Sequence, residues 1–350
     1  MHQVLSGADE YTNAYFGTPA PVDFTDVLAT GGANQESTDL AAFGELTWHL
    51  SDRWQITAGL RIFDQGLTGT AGIPLPYASR TLEYYYYGTA TDDFLLGGIN
   101  PTNYDVSDSI IKLNTSYDLS DRTMIFATYS EGFRAGGANQ LPETDPFGND
   151  NTPFLTFDPD EVRNYEFGIK GTLGGRFAYT GTGFFVDWTG FQATLTSPFG
   201  IAFVDNVPSA ESTGIELELN GSVTDQLQIN FGYSYVNAEI TESFEFAQGD
   251  PSTIVPEGTR LPGGAEHELF LSSDFRVPLA TSALIFHADA SYRSDVNSNF
   301  LDLPSVPAMS FANFDAFTVW NDSLTWVKDS YTVTLFGKNL SNVRGESSVA

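Results

Sequence analysis

Apolar side chains recur at every second position along most of this chain, a period that gathers them on one face only if the backbone is extended. The clearest run sets Leu227, Ile229, Phe231, Tyr233 and Tyr235 against Gln226, Gln228, Asn230, Gly232 and Ser234. Ile215, Leu217 and Leu219 alternate with Glu216, Glu218 and Asn220, and Trp54, Ile56, Ala58, Leu60 and Ile62 alternate with Arg53, Gln55, Thr57, Gly59 and Arg61. The pattern returns through 111–117, 165–169 and 333–335, while helical spacing is hard to find. It predicts an all-β chain of about twelve strands, near 40–50, 53–63, 107–118, 122–131, 162–173, 176–192, 203–221, 226–241, 265–276, 283–296, 312–327 and 331–340. Several exceed the roughly five or six residues of a globular strand. They match the roughly 9–11 residues, plus overhang, of a membrane-crossing strand.

The connections alternate in length. Ser51-Asp52, Ser120-Asp121, Gly174-Gly175, the stretches around Thr224-Asp225 and Pro278, and Asp329-Ser330 are tight, whereas 64–106, 132–161, 193–202, 242–264 and 297–311 are long. Long loops are uncommon inside compact domains. Placed on every second connection, they all fall at one end of an up-and-down antiparallel sheet. That is the asymmetry of a transmembrane β-barrel, with short periplasmic turns and long extracellular loops. Trp48, Trp54, Trp188, Trp320, Trp326 and Tyr331 lie near strand ends, where interfacial girdles form. A soluble sandwich, propeller or secreted solenoid would share the alternation but not the strand lengths or the loop asymmetry.

Composition removes other classes. Fifteen basic against 45 acidic residues give a net charge of −30, against the clustered Lys and Arg that nucleic acid requires. Such acidity suits binding of divalent ions that also bridge lipopolysaccharide, focusing of cationic solutes, or a salt-adapted proteome. With 41% hydrophobic and 14% aromatic residues the chain should fold. The absence of cysteine excludes disulfides, thiolate metal sites and thiol nucleophiles. No apolar run approaches the roughly 18 residues of a membrane helix. The stretch 1–10 has neither a basic nor an apolar leader region.

If the tight turns are periplasmic, the strand near 40–50 begins outside and the strand near 331–340 ends outside. Barrels of this kind keep both termini in the periplasm, so a strand is expected to be missing at each end. Unpaired edges do not stand in lipid. The expected organisation is therefore a partial barrel: 1–39 an extracellular loop, 40–340 the strands, and 341–350 the start of the last extracellular loop, with no plug domain.

Four segments carry a resemblance. Tyr129-Ser130-Glu131-Gly132-Phe133-Arg134-Ala135-Gly136-Gly137, followed by Asn139, is similar to the strand-to-loop signature of TonB-dependent outer-membrane receptors. The stretch 157–170 resembles that family's loop-to-strand return, and 209–219 and 337–342 resemble two further landmarks in the same order. The resemblance implies a barrel of about 22 strands around an N-terminal plug, of which these are about the tenth to the twenty-first. It further implies active uptake of a scarce solute, most often a ferric siderophore. The solute would bind to the outer loops, and the TonB-ExbB-ExbD complex would act through the N-terminal region. Other implied partners are outer-membrane lipid and lipopolysaccharide, in a Gram-negative outer membrane. No cofactor and no covalent chemistry are implied. A passive porin or a surface adhesion barrel is the alternative, lacking the ordered signatures.

Within this frame the chemistry-bearing residues have plain readings. Glu216 and Glu218 are i and i+2 on one strand and should point into the lumen as wall polarity, not as an acid–base pair. His267 and Glu268 are adjacent and face opposite ways, which defeats a metal site. Asp145, Asn149, Asp150, Asn151, Asp158, Asp160 and Glu161 lack calcium-loop spacing and read as a solvated acidic loop. Gly132, Gly136 and Gly137 should let the chain turn out of its strand. Candidate solute contacts are Arg134, facing an anionic chelate from the vestibule, and Tyr85 and Tyr86 within the Tyr84–Tyr87 cluster of the longest loop, a cluster that reads equally as a short hydrophobic strand packing on the loop itself. For Arg134 a salt bridge to the acidic loops is the favoured role. No metal ligand is assigned.

Overall fold

The computed structural model describes residues 2–6, 27–72, 100–139, 141, 143–144, 150–196, 202–246, 253–300 and 313–345. Thirteen strands form one antiparallel sheet in sequence order. They are β1 (His2–Ser6), β2 (Val27–Ser51), β3 (Trp54–Gly72), β4 (Asn100–Ser120), β5 (Thr123–Arg134), β6 (Asp160–Leu173) and β7 (Phe177–Thr189). They continue as β8 (Ser209–Ser222), β9 (Leu227–Ile240), β10 (His267–Pro278), β11 (Ala283–Arg293), β12 (Phe317–Lys328) and β13 (Tyr331–Gly337). Each strand pairs with its neighbours in sequence, so the topology is up-and-down throughout.

Tight turns close one end, including the three-residue turn 174–176, whose Gly174 and Gly175 are both at positive φ, a conformation glycine adopts at no steric cost. Every second connection is long and lies at the other end. Twelve of the thirteen strands correspond to those read from the alternation. The expected loop 1–39 is corrected: β1 pairs with β2, and β2 already begins at Val27. Likewise β3 runs on to Gly72 and β4 starts at Asn100, which shortens the expected 64–106 loop from both sides. The physical reason is that ladder hydrogen bonds continue where side-chain alternation stops. Thr30, Asn34, Gln35, Glu36, Ser37 and Thr38 carry no apolar period yet lie in the paired strand.

Directly paired residues share a face. One row runs Leu46, Ala58, Leu113, Tyr129, Tyr165, Phe185 across six strands, and another runs Leu219, Phe231, Leu271, Ala290, Trp320 across five. This face is apolar and open: Phe167 is 63% exposed and Leu46 74%. So much contiguous apolar surface facing water would be unfavourable by tens of kcal/mol, at roughly 25 cal/mol per Å², so the face belongs against lipid.

The opposite face is polar and hydrogen-bonded across strands. Thr47 meets Thr57 at 3.0 Å, Asn114 donates to Thr128 at 2.8 Å, and Asn230 donates to Ser272 at 3.0 Å. Among the described residues the sheet therefore has no apolar core between layers. The buried apolar cluster sits in the long connections: Leu141, Leu195, Phe203, Val207, Phe246, Val255 and Phe300, resting on Ala210 and Ile240 at the strand ends.

Candidate functional site: the mouth and the inner wall

At the long-loop end, Arg134 closes β5 and Asp160 opens β6 directly opposite it. Asp160 is fully buried. Its carboxylate accepts from the Arg134 guanidinium at Nε (2.8 Å) and at Nη2, from the Arg134 backbone N–H (3.2 Å) and from the Gln192 N–H (3.1 Å). Nη2 also donates to the Gln192 carbonyl at 3.2 Å. The guanidinium lies 4.8 Å from the Trp188 ring centre and 5.6 Å from that of Phe191, which adds cation–π attraction. Five polar contacts thus fasten β5, β6 and the segment after β7 at one point. Arg134 is bound within the protein through the same fork that would grip an anion.

Gln192 begins a small hairpin, Gln192–Thr196 paired with Ala202–Asn206. Asn139 docks it onto the preceding loop as a substitute peptide group. Its Oδ1 accepts from the Val204 N–H at 2.8 Å, and its Nδ2 donates to the carbonyls of Val204 (2.6 Å) and Phe154 (2.9 Å). Asn206 does the same on the other side, accepting from the Asp158 N–H at 2.7 Å and donating to the Asp158 and Gly190 carbonyls. On the core-facing side of the hairpin, Asp205 stands opposite Ala193, beside the Leu195/Phe203 pair. Burial there pushes its carboxyl pKa up from the ordinary value, the Asn206 N–H opposes that shift, and Asp158 adds to it. Asp150, by contrast, accepts from the Thr152 side chain and N–H, which holds its carboxyl below the ordinary value.

Three sequence readings are corrected here. Asp160 is no solvated loop acid but a buried counterion. Trp188, read as a girdle residue, pairs with Val162 and Ala210 on the polar face and packs on the loop core, because it stands an odd number of residues from Phe185 of the apolar row. Gly132, Gly136 and Gly137 are not at positive φ. Gly136 is needed for close approach: a Cβ there would meet the Phe157 carbonyl oxygen at 2.5 Å, and one at Gly137 the Phe157 ring at 2.6 Å, whereas Gly132 has open space.

Below the mouth, Glu216 and Glu218 stand on the polar face, opposite Ser234 and Gly232. With Glu268, Arg293, Phe270 and Phe317 they line a depression of about 490 Å³ whose floor is Gly232. His267 lies on the apolar face, its Nδ1 3.0 Å from the Tyr233 hydroxyl and its ring against Tyr235, while Glu268 faces the other way. Among the described residues no group of acidic or histidine side chains has metal-binding geometry. Tyr85 and Tyr86, with the rest of the 84–87 cluster, lie outside the described residues. The sequence reading missed Trp188, Gln192 and Asn206 as partners of the mouth, since nothing local ties them to residues 134–160. Asn139 stood in the quoted signature without a role.

Comparison with known proteins gives the geometry its context. The family model for the TonB dependent receptor-like beta-barrel matches residues 2–340. A pesticin receptor of Yersinia enterocolitica is 26% identical over 231 residues, covering 65% of this chain and 30% of that protein. A ferric-pyoverdine BN7/BN8 receptor of Pseudomonas putida is 39% identical over 124 residues, 34% of this chain and 13% of that one. The chain thus spans under a third of the length of these curated relatives. Among solved structures, the ferric yersiniabactin uptake receptor FyuA of Yersinia pestis superposes with a TM-score of 0.67 at 16% identity, over 92% of this chain and 43% of its own. At that identity the likeness is one of fold. These matches are to receptors and not to porins or adhesins, and the family is one of Gram-negative outer-membrane proteins. An apolar outer face, a polar inner face, and turns and loops segregated to opposite ends complete the argument: the chain belongs to the TonB-dependent receptor family and forms part of its outer-membrane β-barrel.

Proposed function

We propose that this chain is the wall and loop portion of a receptor for the active uptake of a metal chelate, a ferric siderophore foremost. The observation that carries the reading is the family match along nearly the whole chain, joined to a mouth whose described loop residues share a buried apolar cluster. Relatives of similar sequence carry names that specify siderophore or metal-chelate receptors. In this reading the packed loops present the chelate, Arg134 and Asp160 hold the loops in register, and the polar inner wall gives the solute a hydrated path. Arg134 contributes by positioning; direct contact with an anionic chelate would use the guanidinium edge that Asp160 leaves free. Tyr85 and Tyr86 are proposed as aromatic contacts for a flat chelate.

Energy would come from the TonB-ExbB-ExbD complex acting through an N-terminal region, and lipopolysaccharide would surround the outer half of the wall. We also propose that the thirteen strands are part of a larger closed barrel, because β1 and β13 lie at the edges of the sheet and lipid does not tolerate free edges. The test is deletion of the gene in the source cells, followed by growth and uptake of radiolabelled iron presented on a panel of siderophores. Loss of uptake of one chelate, restored by the intact gene, supports the reading; unchanged uptake of every chelate under iron limitation sinks it. Immunoblotting of membrane fractions adds a second check. A band well above the mass of 350 residues in the outer membrane is expected.

A further inference from the structure

We propose that the inner wall carries a small anion site near the tight-turn end of the lumen, built around Lys170, which takes one carboxylate group of the imported solute. The inference rests on reading the polar face as the solute's path. Lys170 stands on that face of β6, between Met124 on β5 and Thr180 on β7. Met124 is the second residue of β5 and Arg134 the last, so the site lies roughly 34 Å of strand away from the mouth. Around Lys170 the wall opens into a cavity of about 480 Å³, with Gln55, Ser116 and Thr128 on its far side and no carboxylate among its described lining residues. The Phe126 ring leans across Gly168, where any side chain would collide with it. The Lys170 ammonium lies over that ring, 5.9 Å from its centre, which steadies the charge without neutralising it.

Two other inward-facing cations are already neutralised: Arg61 pairs with Asp39 at 3.3 Å and Lys112 with Glu45 at 3.6 Å. Among the described residues Lys170 has no ion-pair partner. The carboxylates nearest in register are Asp118, across Met124, and Glu218, across Thr180. Each is two strands off, roughly 10 Å, which is about one Debye length, so salt weakens their repulsion of a bound anion. Glu166, higher on β6, accepts from the Asn164 amide at 2.7 Å. Neutral donors complete the site. Thr128 accepts from Asn114, which leaves its own hydroxyl hydrogen to give, and Ser116, Thr180 and the Gln55 amide line the same space. One ammonium among neutral donors matches a singly charged group, whereas a phosphate dianion calls for a second cation. Met124 and Phe126 add an apolar flank suited to a carbon skeleton. The occupant is therefore the carboxylate of an organic acid. The inner wall elsewhere carries Glu45, Glu166, Glu216, Glu218 and Glu268 and repels an anionic solute, so Lys170 gives it a resting point before release into the periplasm.

Met124 lines the cavity and supplies a native reporter. The full-length protein is labelled with carbon-13 at its methionine methyls, purified in detergent, and titrated with butyrate, a monocarboxylate, or with butyramide, its neutral counterpart. Butyrate should shift the Met124 methyl resonance, identified by its loss in Met124→Leu, to saturation; butyramide should not. Lys170→Gln should raise the half-saturating butyrate concentration by about fivefold, the upper end for an exposed charge pair. Lys170→Arg keeps the charge and should raise it by less than about twofold. Arg276→Gln removes an inward-facing cation of β10 outside the cavity and should leave it unchanged. Equal responses to butyrate and butyramide, or a butyrate response untouched by Lys170→Gln, overturn the site. The absence of any shift in the wild type, as when an acidic side chain of another part of the protein already fills the cavity, overturns the solute as occupant. Should Lys170→Gln fail to fold, salt decides: half-saturation in the wild type should rise with ionic strength, and salt-independent binding overturns the proposal. No iron and no uptake enter this measurement, so its failure is distinct from failure of the receptor reading, which the uptake assay decides.

Discussion

Asp160 is fully buried, and its lone pairs are consumed by one guanidinium and two backbone amides. Removing Arg134 alone would strand that carboxylate, while removing Asp160 alone frees a half-exposed cation that water can solvate. Arg134→Ala is therefore expected to loosen the mouth more than Asp160→Ala, and the double variant less than the sum. The coupling should be on the order of 2 kcal/mol once the exposure of the guanidinium is allowed for, measured by a double-mutant cycle on hydrogen-exchange protection of residues 192–206. Glycines give a second contrast at this scale. Gly136→Ala forces its new methyl onto the Phe157 carbonyl and should cost about 2 kcal/mol, whereas Gly132→Ala, with nothing within 4 Å, should be silent. Thermal melts of the two variants side by side check this. The signature that contains these residues was legible in the sequence, but the reasons behind its glycines were not, because close approach is a tertiary fact.

The small hairpin Gln192–Thr196/Ala202–Asn206 shows why some elements escaped the sequence reading. Its buried apolar residues, Ala193, Leu195 and Phe203, are too few to set a period, and they bury against other loops and not against lipid. The spanning strands were legible because lipid on one side and water on the other impose strict alternation over many residues. Above the membrane that constraint lapses, which is why the outward reach of β2, β3 and β4 was underestimated. The hairpin also carries a titration. Asp205 has its folded pKa raised by burial, so its protonated form favours the fold. That contribution is fully present below the ordinary carboxylate range, near pH 4, and fades as pH rises through the folded value. Asp205→Asn should therefore increase exchange protection of 202–206 at pH 7, and the gain should vanish at about pH 4 and below. An equal gain at both pH values would contradict the assignment.

Across the whole molecule, two solvents stabilise two structures. The wall is held by ladder hydrogen bonds and by an apolar face turned to lipid, whereas the loop bundle is held by water-driven burial of Phe246, Val255, Ile240 and their neighbours. Phe246, 1% exposed and edge-on to Phe300, can be truncated to test the separation. Phe246→Ala should destabilise the loop bundle by about 3 kcal/mol and leave the wall intact. Limited proteolysis should then cut the loops sooner, while the gel-shift of the heated barrel stays at the wild-type temperature. A parallel drop in both would show that wall and bundle melt as one. The fold class was readable from sequence because the wall repeats one rule twelve times over. The bundle has no such repetition, and its contacts join residues as distant in sequence as Leu141 and Phe300.

A loop bundle with its own buried core has a consequence for how such a receptor diversifies. Substitutions that reshape the mouth need only be compatible with the packing around Phe203, Phe246 and Phe300, since the strands beneath are held by their own ladder hydrogen bonds and by the bilayer. The outer segments can therefore be exchanged or remodelled while the wall beneath is inherited unchanged.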